Sequence, residues 1–207
     1  MAIEFYYTGG GPFAWRCRLT LAIKKIPYRP VMLDLTKGET RTPEFLSLNP
    51  RGTLPVLKDG KIVVRESQAI MFYLDRAFPE PPLYGRTPSE AARIMQEIAE
   101  QGSYIEALLR KVIGPVLFAA GPVSAIADVA APLDRELSAL DRHLGESPYI
   151  AGDTVSAADI NLYPFLPTYQ RALQETSIAE LASAFQSVDA SYPNIVLWMK
   201  RMQALDG

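Results

Sequence analysis

Residues 79–85 read PEPPLYG, and no helix or strand can run through them. Each proline withholds a backbone donor and pushes the residue before it toward extended dihedrals, so regular elements must stop on either side. The chain is thereby divided, and its two parts have different textures. Residues 1–78 alternate short β-type runs with helical patterns: IEFYY, a helix over 13–26, YRPVMLDL, LPVLKDGKIVVRE, and a helix over 67–78. That order is β-α-β followed by β-β-α. Asp59-Gly60, between LPVLK and KIVVR, predicts a hairpin, because both turn positions require positive φ and this pair accepts it at low cost. Residues 87–207 are helical in pattern throughout, over 88–102, 103–118 and 125–144, the last with Val129, Leu133, Leu137, Leu140 and Leu144 recurring on one face. The reading is an α/β domain over 1–78, a linker over 79–86 and an all-helical domain over 87–207.

Charge and composition narrow the chemistry. The formal net charge is −2, with basic and acidic residues interspersed, which lacks the basic face that a phosphate backbone requires and argues against a nucleic-acid partner. Cys17 is the only cysteine and His143 the only histidine, so an internal disulfide, a structural zinc site and Cys-His catalysis are all excluded, and no metal is expected. The segment MAIEFYY lacks a basic flank and an apolar core, and no later apolar run is long enough to cross a bilayer. Cytoplasmic residence without a membrane partner is the expectation. In TVSAADI, Ser156 stands at an N-cap with Asp159 three residues on, a capping box with Val155 and Ile160 placed to staple it.

Two stretches of the first part carry functional potential. In LNPRGTLPVL, Leu54-Pro55 opens a strand, where proline is tolerated because no ladder bond is lost. A cis bond there would present the Leu54 N–H and C=O to an extended peptide-like ligand, and a trans bond would leave an ordinary edge proline. In RESQAIMFYL, Ser67 reads as the N-cap of a helix with Ile70, Tyr73, Leu74 and Ala77 on one face. Free N–H groups at such a start would hold a carboxylate, and Glu66 would face an ammonium. Taken separately these are a cap and a surface acid. Taken with Leu54-Pro55, they describe the α-amino-acid end and the backbone of a small γ-linked peptide.

The order of a first strand, a PFAWR helix start, LNPRGTLPVL, the Asp-Gly hairpin, RESQAI, the proline-rich linker, YIAGDTVSAADI and a terminal YPNIVLWMKRM resembles the cytosolic glutathione S-transferase family from end to end. The resemblance implies an α/β thioredoxin-like N-terminal domain that binds glutathione as co-substrate. It further implies an all-α C-terminal helical domain whose hydrophobic site takes a small-molecule electrophile, a homodimer, and a role in detoxification. The cis-proline loop of the family matches Leu54-Pro55, the γ-glutamyl end is held at Glu66 and Ser67, and Gln68 follows where many relatives carry a further contact. Thr40 and Thr53 fall where relatives often carry Lys, Gln or His near the glycyl end.

Against this pattern the stretch YYTGGGPFAWRCR departs from expectation. Relatives activate the thiol with a Ser or Cys just before the first helix, and that position is Gly11; tyrosine-type relatives place the activating hydroxyl at Tyr7. Lowering a thiol pKa by two units takes about 2.7 kcal/mol of preferential thiolate stabilisation. A helix starting after Gly11 with Pro12 at N1, close main-chain donors around the glycines, and the Tyr7 hydroxyl are the available sources. A phosphate cradle is disfavoured by the missing Lys-Ser/Thr and by Pro12, which has no N–H. A plain turn stays open, as in a protein that binds glutathione without catalysing. The expected activity is conjugation of the thiolate to an electrophile, with a glutathione-dependent isomerase or reductase and a non-catalytic adaptor as alternatives. Cys17 and the stripe Trp15, Leu19, Ala22, Ile23 and Ile26 read as core, and His143 as a helix-end residue. Tyr104 and Leu108, with Val112 and Phe118, are candidates for an apolar acceptor pocket.

Overall fold

The Asp59-Gly60 turn forms as its chemistry predicts, joining β3 (Val56–Asp59) to β4 (Ile62–Arg65) in an antiparallel hairpin with Gly60 at φ 59°. The structure, a computed structural model, describes residues 3–206 apart from the side chain of Ala125. β1 (Ile3–Tyr7) pairs antiparallel with β3 and parallel with β2 (Tyr28–Met32), giving a four-stranded sheet of order β2-β1-β3-β4. The parallel pair is joined through α1 (Pro12–Ile23), as a parallel connection requires. α2 (Pro43–Leu48) precedes β3, and α3 (Ser67–Ala77) follows β4.

Strand alternation sends side chains to two faces. Phe5 and Leu57 meet Ala14, Cys17 and Leu21 of α1 and Ile70 and Leu74 of α3 in one buried cluster, each buried Phe, Leu or Ile side chain contributing roughly 1.5–3 kcal/mol. Tyr6, on the other face, packs its ring against Phe45 of α2 at 6.2 Å. α1 stops at Ile23, three residues before the expected end. Lys25 adopts φ 52° and the Ile26 N–H turns back to the Leu21 carbonyl at 2.9 Å, the bond that closes a helix before a proline such as Pro27.

The proline-rich segment is bolted to this unit. Lys24 and Asp75 form an ion pair at 2.8 Å with both side chains fully buried. The Lys24 ammonium also donates to the carbonyls of Phe78 at 2.7 Å and Pro81 at 2.6 Å, and Asp75 accepts from the Leu83 N–H at 2.8 Å. Two X-Pro bonds are cis, Leu54-Pro55 and Glu80-Pro81.

The chain divides into two compact units between Leu83 and Tyr84. The second, Tyr84–Ala204, is helical: α4 (Pro88–Ser103), α5 (Ile105–Phe118), α6 (Ala130–Glu146), α7 (Ala157–Leu162), α8 (Phe165–Leu173), two single turns α9 (Ala179–Ala182) and α10 (Val188–Ser191), and α11 (Pro193–Gln203). α6 starts five residues later than its apolar pattern suggests, after a 3-10 stretch over 123–129. Pro132 has no N–H for the carbonyl four residues back, so regular helix starts two residues before it. The Ser156 capping box forms, and its Asp159 is a hub. Fully buried, Asp159 accepts from the Ser156 N–H and hydroxyl, each at 2.9 Å, and from the Ile150 N–H and Trp198 Nε1, each at 2.8 Å. The tail from Leu205 returns to the first unit, where Asp206 accepts from Trp15 Nε1 at 2.8 Å. Among the described residues no helix is long and apolar enough to cross a membrane.

Candidate functional site

Register alone gathers the candidate residues of the first unit. The ladders pair Tyr6 with Val56 and Val56 with Arg65. One residue further along, Tyr7, Pro55 and Glu66 therefore stand in a row at one end of the sheet, where β1 runs toward α1 and β4 into α3. Pro55 carries the cis bond and is buried, while Leu54 before it is half-buried. Among the described residues neither the N–H nor the C=O of Leu54 has a hydrogen-bond partner, which leaves both for a ligand backbone.

Tyr7 is half-buried, stacked on Phe5 at 5.5 Å, with the Arg18 guanidinium 5.7 Å from its ring centre. Tyr6 is committed elsewhere: its hydroxyl donates to Glu4 at 2.8 Å, and burial, then that bond, push its pKa up to about 12. Gly11 is the N-cap of α1, with Pro12 at the first helical position and no side-chain cap. Of the three successive glycines only Gly10 has positive φ, at 81°. A Cβ at Gly9 or Gly11 would meet no atom within 4 Å. Close main-chain approach is thus not what requires glycine at those two positions. Cys17 is fully buried, its thiol donates to the Ser67 carbonyl at 3.6 Å, and burial pushes its pKa well up.

At the start of α3 the residue roles shift by one. Glu66, not Ser67, is the N-cap, at φ 67° and ψ 122°, and it makes no side-chain cap bond; Ser67 is the first helical residue and is buried. A serine caps only if its own backbone is non-helical, and here the turn out of β4 uses up that freedom at Glu66. Glu66 and Gln68 are exposed. At the other side of the row, Thr53 is exposed and its hydroxyl accepts from Asn49 Nδ2 at 3.0 Å, whereas Thr40 is 4% exposed. The residue that the sequence pattern passed over is Arg41. Its exposed guanidinium donates to the Arg51 carbonyl at 3.3 Å, and it lies 2.7 Å from where a Cβ of Gly52 would stand. Gly52, at φ 63°, has neither the space nor the dihedrals for a side chain. A lone basic residue between two threonines in ETRTP was the available signal.

In the second unit Tyr104 sits at the junction of α4 and α5 and is 58% exposed, while Leu108, within α5, is half-buried. Tyr104 borders a cleft of ≈ 240 Å³ with Glu97, Glu100, Glu136 and His143, and Leu108 does not line it. His143, in the last turn of α6, has its Nε2 2.7 Å from the Ile150 carbonyl. Val112 is buried and Phe118 exposed. Among the described residues no group of His, Cys, Asp and Glu has the arrangement to hold a metal ion.

Both parts of the chain are similar to known proteins. The family model for the glutathione S-transferase N-terminal domain matches residues 10–77, and that for the glutathione S-transferase C-terminal domain matches residues 123–201. Glutathione S-transferase 1 of Dianthus caryophyllus is 36% identical over 156 residues, covering 73% of this chain and 70% of that protein. Elongation factor 1-gamma 2 of Oryza sativa subsp. japonica is 37% identical over 174 residues, 79% of this chain but 40% of that protein. The crystal structure of poplar glutathione transferase F1 superposes with a TM-score of 0.82 at 25% identity, covering 98% of this chain and 92% of that one.

Proposed function

The chain belongs to the glutathione S-transferase family, and from that premise we propose that it conjugates glutathione, as co-substrate, to a small electrophilic hydrophobic molecule. The thiol gives its proton to solvent, the sulfur lone pair forms a carbon–sulfur bond, and the leaving group departs or the electron pair moves onto the acceptor. The observation that carries this reading is the row Tyr7, Pro55 and Glu66 at one end of the sheet, beside the start of α1. Along it, the Leu54 N–H and C=O pair with the cysteinyl backbone. Glu66 holds the γ-glutamyl ammonium, and Ser67 and Gln68, at the uncapped start of α3, hold its carboxylate. Thr40 and Thr53 border the glycyl end, where Arg41 supplies the cation for the second carboxylate. The thiol is stabilised by the start of α1 at Gly11, with Tyr7 as the alternative donor. Tyr104 and Leu108 belong to the acceptor site, and the working form is a cytoplasmic homodimer.

A second reading, a glutathione-binding adaptor without catalysis, is favoured by Gly11, which offers neither hydroxyl nor thiol, and by the likeness to elongation factor 1-gamma. Titration with glutathione, followed by thiolate ultraviolet absorbance across pH, separates the two. Binding with a thiol pKa lowered by about two units supports the transferase, and persistence of that shift in Tyr7→Phe assigns it to the main chain. Binding with an unshifted thiol supports the adaptor, and absence of binding overturns both.

A further inference from the structure

We propose that Asn49 is a positioning residue of the glutathione site, whose side-chain amide fixes the Thr53 hydroxyl as a hydrogen-bond donor to the glycyl carboxylate. The inference rests on the glutathione reading above and adds a residue that acts through its neighbour. Asn49 closes α2 and is 1% exposed. Its N–H donates to the Phe45 carbonyl and its C=O accepts from the Gly52 N–H, each at 2.9 Å. In the side chain, Oδ1 accepts from the Arg51 N–H at 3.2 Å, while Nδ2 donates to the Thr53 carbonyl at 2.7 Å and to the Thr53 hydroxyl at 3.0 Å. The main chain serves the helix end, and the buried amide serves the loop that leads into Leu54.

The partners dictate which way round the amide sits. The Arg51 N–H can only donate and the Thr53 carbonyl can only accept, so a reversed amide would set acceptor against acceptor and donor against donor. Nδ2 therefore faces Thr53, and since an amide nitrogen only donates, the hydroxyl oxygen has to accept and its hydrogen points elsewhere. Among the described residues that hydroxyl donates to no protein acceptor, and Thr53 is exposed. An unconstrained threonine hydroxyl turns to donate or accept as its partner demands, whereas this one is held as a donor before the ligand arrives. A carboxylate only accepts, so the aimed hydroxyl forms a charge-assisted bond without first giving up a partner. Arg41 holds the same loop from its other side through the Arg51 carbonyl, which ties the cation and the oriented hydroxyl to one stretch of chain directly ahead of Leu54.

The test is calorimetric titration of the full chain and of Thr53→Val, Asn49→Asp and the double variant with glutathione and with glutathione monoethyl ester, whose glycyl end is uncharged. Circular dichroism confirms that each variant folds. Asn49→Asp keeps an acceptor for the Arg51 N–H but offers the Thr53 hydroxyl an oxygen, which turns its hydrogen inward; Thr53→Val removes the hydroxyl. Each is expected to raise the glutathione Kd by about tenfold, the lower end for a hydrogen bond to a charged group, and the ester Kd by less than about twofold. Because both changes act on one hydroxyl, the double variant is expected to bind glutathione within about threefold of Thr53→Val, whereas independent effects would multiply. Asn49→Ala, which leaves the hydroxyl free to turn, is expected to fall between the parent and Asn49→Asp, and it carries the test where Asn49→Asp does not fold. A glutathione Kd unchanged in Thr53→Val, equal weakening of glutathione and ester, or multiplying effects in the double variant overturns this inference and leaves the glutathione reading standing. Failure of the parent to bind glutathione overturns both.

Discussion

At Glu66 the backbone holds φ 67° and ψ 122° on a residue with a Cβ, a region that costs of order 1–3 kcal/mol and persists only where the surroundings impose it. Glu66→Gly removes that cost while adding glycine's greater loss of freedom, about 0.5–1 kcal/mol. The variant is expected to gain about 1 kcal/mol in chemical denaturation and to lose affinity for glutathione, because the ammonium partner is gone. A Glu66→Gly variant that binds glutathione as well as the parent would remove this residue from the site. Arg41 makes the complementary case. Its guanidinium is exposed, so Arg41→Ala should leave the unfolding midpoint nearly unchanged yet raise the glutathione Kd by about tenfold, the lower end of what a charge-assisted bond contributes. Added salt should narrow the difference. Arg41 was illegible beforehand because its position is made by one loop leaning on another, against Gly52, and periodicity carries no record of such contacts. At Leu54-Pro55 the sequence left cis and trans both open, and at the start of α3 it put the N-cap on Ser67 where the backbone puts it on Glu66, so local turn chemistry marked the two turns but not their geometry.

Between elements, the Lys24–Asp75 pair ties α1, α3 and the proline-rich segment into one piece. Burial raises the Asp75 pKa, and the bonds from Lys24, Arg76 and the Leu83 N–H together outweigh it, so the carboxyl ends below its usual value. A lowered folded pKa means the unfolded chain binds the proton first. The contribution is therefore present above the unfolded value near 4 and is lost as pH falls through the folded one. Stability should drop below about pH 4 in the parent and show a weaker drop in Asp75→Leu/Lys24→Met. Lys24→Met alone strands a buried carboxylate and should cost about 3–5 kcal/mol, with much of it recovered in the double variant. In the helical unit, Asp159→Ala leaves two buried N–H groups and an indole donor without their acceptor, and should cost about 3 kcal/mol or more against about 1 kcal/mol for Ser156→Ala. The capping box was readable from TVSAADI. The Trp198 bond was not, since it spans 39 residues and joins two helices that the apolar pattern could not pair. α6 marks the converse error: an apolar stripe continued through 125–129 while Pro132 forbade the backbone to follow it.

For the whole molecule, the sequence pattern assigned everything after 87 to the helical part, yet the tail from Leu205 belongs to the first unit. The first unit is consequently discontinuous in sequence, with the second inserted between its pieces. So short a tail carries no periodicity, so nothing in its pattern announced the return; a hydrogen bond between Trp15 and Asp206, 191 residues apart, marks it. Burial raises the Asp206 pKa more strongly than the Trp15 bond and the charge of Arg18 lower it. For an acid with a raised folded pKa, the native state binds the proton first, so stability falls as pH rises from the unfolded value near 4 through the folded one. At neutral pH the half-buried charge is thus a cost carried by the tether. Asp206→Asn keeps an oxygen for the indole N–H and removes that charge. Its thermal midpoint at pH 7 should equal or exceed the parent's, and the advantage should vanish toward pH 4. Asp206→Leu loses the acceptor and should fall below the parent at both pH values by about 1 kcal/mol. If Asp206→Asn is as damaging as Asp206→Leu at pH 7, the carboxylate charge itself holds the tail, and the pairing with Arg18 replaces the hydrogen bond as its anchor.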